Sequence, residues 1–146
     1  MDPTDTLTAL RRMLASTFTA YLHTHGMHWN VTGPRFPELH AMFGELYEEL
    51  HEAVDEIAER IRQLGAPAPA TYGALAALSS IPSDLEASST EEQLLQQLAG
   101  INTLLASDAR ALAGAANGVG DQATVDLAAR RQRAAEKAVW MLTSSL

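Results

Sequence analysis

GAPAPATYGALAALSSIPSDLEASS, residues 65–89, is the stretch on which the fold turns. Pro67, Pro69 and Pro82 prevent one continuous helix through it, since proline lacks the amide proton and clashes with the preceding turn. Within it, residues 72–78 could form a short helix. Outward from here, glycine and proline are sparse enough to leave four long stretches. In the first, residues 4–31, Leu7, Leu10, Leu14, Phe18 and Tyr21 step by three and four, the period of one buried helix stripe. The second follows Thr32-Gly33-Pro34 and reaches residue 64. The third opens on a capping box of Thr90 and Gln93, carries Leu94, Leu98, Ile101 and Leu105, and ends at Asn117-Gly118. Asp121 caps the fourth, which runs to the C-terminus through Val125, Val139, Trp140 and Leu142.

Short links join the first helix to the second and the third to the fourth, so each pair is expected to be an antiparallel hairpin. The long link carries the chain across the bundle. Two hairpins and one crossover predict an all-α, ferritin-like four-helix bundle, with a short helix in the crossover and a single domain over residues 1–146. An up-down bundle would not need that connection.

Composition narrows the chemistry. The chain has no cysteine, which excludes disulfides, thiolate zinc sites and cysteine nucleophiles. Neither a signal peptide nor a membrane span is expected, and the location that follows is cytoplasmic. A formal net charge of -8 disfavours free nucleic acid and suits a protein that handles cations.

The histidines carry the functional signal. Extending the first stripe past Tyr21 lands on His25 and His28, in seats that the pattern reserves for core side chains, whereas His23 falls off it and is expected on the plain surface. At about 100° per residue, the second helix divides into three faces. Leu39, Phe43, Leu46, Leu50, Ala53, Ile57 and Leu64 form the apolar one, and Glu45, Glu49, Glu52 and Glu56 an acidic one. Between them run His40, Gly44, Tyr47, His51, Asp55 and Ala58, with Glu59 at the edge. Imidazole with carboxylate is a ligand set for iron, zinc or manganese; two buried, hydrogen-bonded core histidines are the alternative. His40 and Asp55 stand about 22 Å apart along one helix at 1.5 Å per residue, too far to share an ion. Two copies of the helix crossing antiparallel on a two-fold axis would set His40 of one against Asp55 of the other, making two equivalent sites. A di-iron site inside one bundle fits poorly. The first helix has no glutamate, and Glu48-Glu49-Leu50-His51 has no counterpart on the third or fourth.

The run His28-Trp29-Asn30-Val31-Thr32-Gly33, then Phe36, Leu39-His40, Tyr47 and Asp55-Glu56-Ile57-Ala58-Glu59-Arg60, resembles the signature of the Dps family of mini-ferritins. The likeness continues in Thr124, Asp126 and residues 136–142. It implies a homododecameric hollow shell with ferroxidase centres between subunits. His28 and His40 would come from one subunit, with Asp55 and Glu59 from its neighbour. It further implies oxidation of ferrous iron by hydrogen peroxide or oxygen, ferric storage inside the shell, and Trp29 as quencher of stray oxidising equivalents. Zinc is a substitute cation for iron.

Two departures from the family stand out. Gly44 occupies the place of a carboxylate four residues after the second histidine, which bears on a second iron position. DNA-binding members commonly carry a lysine-rich tail, whereas this N-terminus reads as short and acidic, so DNA binding is not expected. The alternative function is a nucleoid-binding protein whose iron chemistry is secondary. Three further expectations concern single features. Asp121 and Asp126 line an acidic iron-entry pore, the acidic face of the second helix lines the shell interior, and His51 partly replaces the missing carboxylate as a ligand unless it merely packs at the dimer contact.

Overall fold

The computed structural model describes residues 3–146, so Met1 and Asp2, read above as part of an acidic tail, lie outside it. Among the described residues every regular element is a helix: α1 (Pro3–Asn30), α2 (Phe36–Gln63), α3 (Tyr72–Leu78), α4 (Glu91–Gly118) and α5 (Gln122–Thr143). Helix α1 packs on α2, α4 packs on α5, and α1 and α4 join the two hairpins. The crossover lays α3 against α1. This is the four-helix bundle expected, with the short helix at the predicted residues. No described helix is long and apolar enough to cross a membrane.

The starts of the helices follow the capping residues. Thr71, Thr90 and Asp121 accept hydrogen bonds from the backbone N–H of Ala74, Gln93 and Thr124 at 3.2, 3.2 and 3.0 Å. Gly65 and Gly120 turn the chain out of α2 and α4 at φ 88° and 72°. Helix α4 ends at Gly118, as read from the sequence, and the left-handed turn follows at Gly120. Helix α2 lacks a side-chain cap at Arg35. Instead Glu91, in the first turn of α4, accepts the Arg35 N–H at 2.9 Å. Its carboxylate fills the space over Gly33, whose φ of 134° suits glycine. The α1–α2 turn is therefore held from the far hairpin.

The core runs between both hairpins, with Leu10, Met13, Phe43, Ile57, Leu98 and Leu112 fully buried. The first stripe is corrected in part: Leu10 and Leu14 are buried, but Leu7, Phe18 and Tyr21 only partly. Helix α1 touches α2, α3 and α4, so its buried arc is broad and extends to Thr17, Thr19 and Thr24. On α2, Ile61 is fully buried while Leu64 is exposed, because the helix has ended at Gln63.

Candidate metal centre

His28 lies in the last turn of α1, whose carbonyls have no amide donors further along the helix. His40 lies one turn into α2, across the short link. The two residues lock each other. His28 Nδ1 donates to the His40 carbonyl at 2.7 Å, and His40 Nδ1 donates to the His28 carbonyl at 2.7 Å. A carbonyl only accepts, so both Nδ1 atoms carry a proton, and in the neutral ring it is Nε2 that keeps the lone pair. The rings stack at 3.8 Å and 15°. A backbone carbonyl that orients an imidazole and fixes its tautomer is the usual second shell of a metal-binding histidine.

Asp55 and Glu59 stand one turn apart on the exposed side of α2. A hydrogen bond with Asp55, then the charge of Asp55, then slight burial raises the Glu59 pKa. Two carboxylates pressed together favour a proton or a cation between them. Among the described residues of one chain, however, no group of three or more His, Asp or Glu side chains comes together to hold a metal. The histidine pair and the carboxylate pair thus stand apart within one chain. Imidazole nitrogens and carboxylate oxygens are both donors that could hold iron.

An aromatic cluster adjoins the histidine half. His25 stacks on Tyr47 at 3.8 Å and 7°, and its Nδ1 bonds Tyr21 Oη at 3.0 Å. Trp29, exposed, has its ring 4.3 Å from His25. Burial, then the neighbouring His28 and His51, pulls the His25 pKa below the ordinary imidazole value. The spacing put His25 on this stripe, but its stacking on α2 emerges only when the helices pack.

Other residues singled out from the sequence stand apart from this cluster. Asp121 accepts from the Thr124 hydroxyl at 2.6 Å as well as capping α5, and it pairs with Arg60 at 2.9 Å. Burial pushes its carboxyl up, but the bonds from Thr124 and the Arg60 guanidinium outweigh it and hold the pKa low. Asp126 is exposed and pairs with Arg130 at 3.1 Å. Arg130 also reaches Glu56 at 2.6 Å, and the buried Arg131 grips both oxygens of Glu49. Two of the four acidic-face carboxylates are thus neutralised by α5, while Glu45 and Glu52 make no ion pair among the described residues. His23 is not plain surface: half-buried, its Nε2 donates to the Pro82 carbonyl at 2.7 Å and ties α1 to the crossover.

The ferritin-like domain family matches residues 7–146. A protein of Haemophilus influenzae is 36% identical over 93% of this chain and 84% of its own length. The DNA protection during starvation protein of Brevibacillus brevis is 32% identical over 94% of this chain and 91% of its own. The crystal structure of a Dps protein from Vibrio cholerae, described as a member of a broad superfamily of ferritin-like diiron-carboxylate proteins, superposes with a TM-score of 0.90. It is 33% identical, covering 99% of this chain and 92% of that one.

Proposed function

Because the chain belongs to the Dps family of ferritin-like proteins, we propose that it is a cytoplasmic mini-ferritin. In this reading it oxidises ferrous iron and stores the ferric product in a shell of twelve subunits. The observation that carries the reading is the reciprocal lock of His28 and His40, which presents both Nε2 atoms with no carboxylate beside them among the described residues.

Ferrous iron is the substrate. His28 and His40 of one subunit bind it, and Asp55 and Glu59 of the neighbour complete the site. An antiparallel crossing of two α2 helices on a two-fold axis gives two such sites per contact. The imidazoles need no reorientation, since the carbonyls already hold them. The carboxylates balance the charge of the cation as it rises to the ferric state. Hydrogen peroxide takes one electron from each of two ferrous ions, its O–O bond breaks, and two protons complete two waters. Hydroxyl radical is thereby avoided. Trp29, beside His25 and exposed, supplies an electron when an oxidising equivalent escapes.

Anaerobic ferrous titration followed by a peroxide pulse tests this. The parent protein binds ferrous iron and turns it ferric without spin-trapped hydroxyl radical. Asp55→Ala loses both steps while its helices and assembly stay intact. Equal oxidation by Asp55→Ala would sink the reading.

A further inference from the structure

Four of the five histidines have a hydrogen-bond partner inside the chain: His23 the Pro82 carbonyl, His25 the Tyr21 hydroxyl, and His28 and His40 each other's carbonyl. His51 has none among the described residues, and it is exposed. Its ring lies 5.0 Å from that of Tyr21, and with Asp55 it lines one shallow groove on α2. Side chains four apart on a helix are neighbours. A bare imidazole and a carboxylate in that relation form a chelating pair that lacks further ligands.

Gly44 supplies the facing surface. A Cβ there would stand 3.2 Å from His28 Cε1 and 3.3 Å from His28 Nδ1, so the His28 ring lies directly against the glycine. Whatever covers Gly44 from another subunit therefore also meets the histidine half of the site. On the two-fold crossing that sets His40 opposite Asp55, the position opposite Gly44 is His51.

We infer that His51 of each subunit enters the space over Gly44 of the other and, with Asp55, forms a second cation position that takes Zn2+ in preference to Fe2+. The inference rests on the two-fold arrangement proposed above. Asp55 bridges this position and the one it shares with Glu59. A neutral imidazole brings no negative charge, so the position selects its cation through the nitrogen donor rather than through charge. Nitrogen donors suit zinc, and affinity at such sites rises from Fe2+ towards Zn2+. The second position thus works as a zinc-loaded companion to the iron position.

The metal-free assembled protein, titrated with Zn2+ in a calorimeter, provides the test. The parent should show two binding steps at each site. His51→Gln should lose the weaker step and keep the tighter, whereas Glu59→Gln should weaken the tighter one. A His51→Gln protein that retains both steps, with His51 then a packing residue, would overturn the inference. So would a single step in the parent that His51→Gln keeps. Absence of any zinc or ferrous binding by the parent would instead sink the proposed function itself, and this inference with it. X-ray absorption on the zinc-loaded parent gives a readout without a variant. Three imidazoles for each pair of zinc ions support His51 as a ligand, and two refute it.

Discussion

Gly44 is where a single atom decides most. Alanine there would gain about 1 kcal/mol of helix propensity. Its Cβ would meet the His28 ring at 3.2–3.3 Å, and that ring is held by a 2.7 Å hydrogen bond and a stack on His40. Crowding in packed sites costs about 1–3 kcal/mol, so the two effects nearly cancel in stability while His28 is displaced. Gly44→Ala should therefore melt within a few degrees of the parent yet bind ferrous iron more weakly; equal affinity would show that His28 yields freely. The carboxylate pair makes a second residue-scale prediction. The Glu59 pKa is raised, chiefly by its hydrogen bond with Asp55, so the repulsion is present above the folded value and fades as pH falls through it. Acid thus spares the empty pair while competing with metal. Ferrous affinity should fall with pH from a higher onset than a lone glutamate gives, and Glu59→Gln should remove that upper step from a pH-resolved titration.

At the level of elements, the α1–α2 turn presents both histidines and is clamped by Glu91. Gly33→Ala would force a side chain into a φ of 134° and displace the Glu91 carboxylate. A loss of about 1–3 kcal/mol is expected, read as a lowered melting temperature together with weaker metal binding. Intact binding would mean that the lock between His28 and His40 stands without the clamp. The start of α5 depends on Asp121, which bonds Thr124 and Arg60 together. Its depressed pKa means a contribution present above the ordinary aspartate value and lost as pH falls through the folded one. Asp121→Ala should cost about 1–2 kcal/mol at neutral pH, with Asp121→Asn keeping much of the cap. A neutral Asp121→Ala in denaturant unfolding would count against it.

The single chain leaves large apolar side chains in water, with Trp140 66% and Tyr72 81% exposed, and contacts within the proposed shell would cover such groups. Light scattering should report a shell of twelve subunits at neutral pH. Trp140→Asp should give smaller species with unchanged helix content. A stable monomer or dimer of the parent would refute the shell. Asp126, exposed and only partly neutralised by Arg130, is the better of the two proposed pore carboxylates, because Asp121 is committed to its cap. Asp126→Asn should slow iron uptake by an intact shell; unchanged uptake places the entrance elsewhere.

The sequence by itself determined the helices, the caps of α4 and α5 and the crossover, because proline, glycine and apolar period act over a few residues. It also placed His40, Tyr47, His51 and Asp55 on one face, since helix geometry converts spacing directly into direction. Tertiary structure decided what those residues touch. The reciprocal bonds of His28 and His40, the stacking of His25 on Tyr47, the tie from His23 to Pro82 and the grip of Arg131 on Glu49 all join separate helices. Each depends on how one helix is rotated and shifted against another. That is set by the packing of the whole core, and local periodicity carries no record of it.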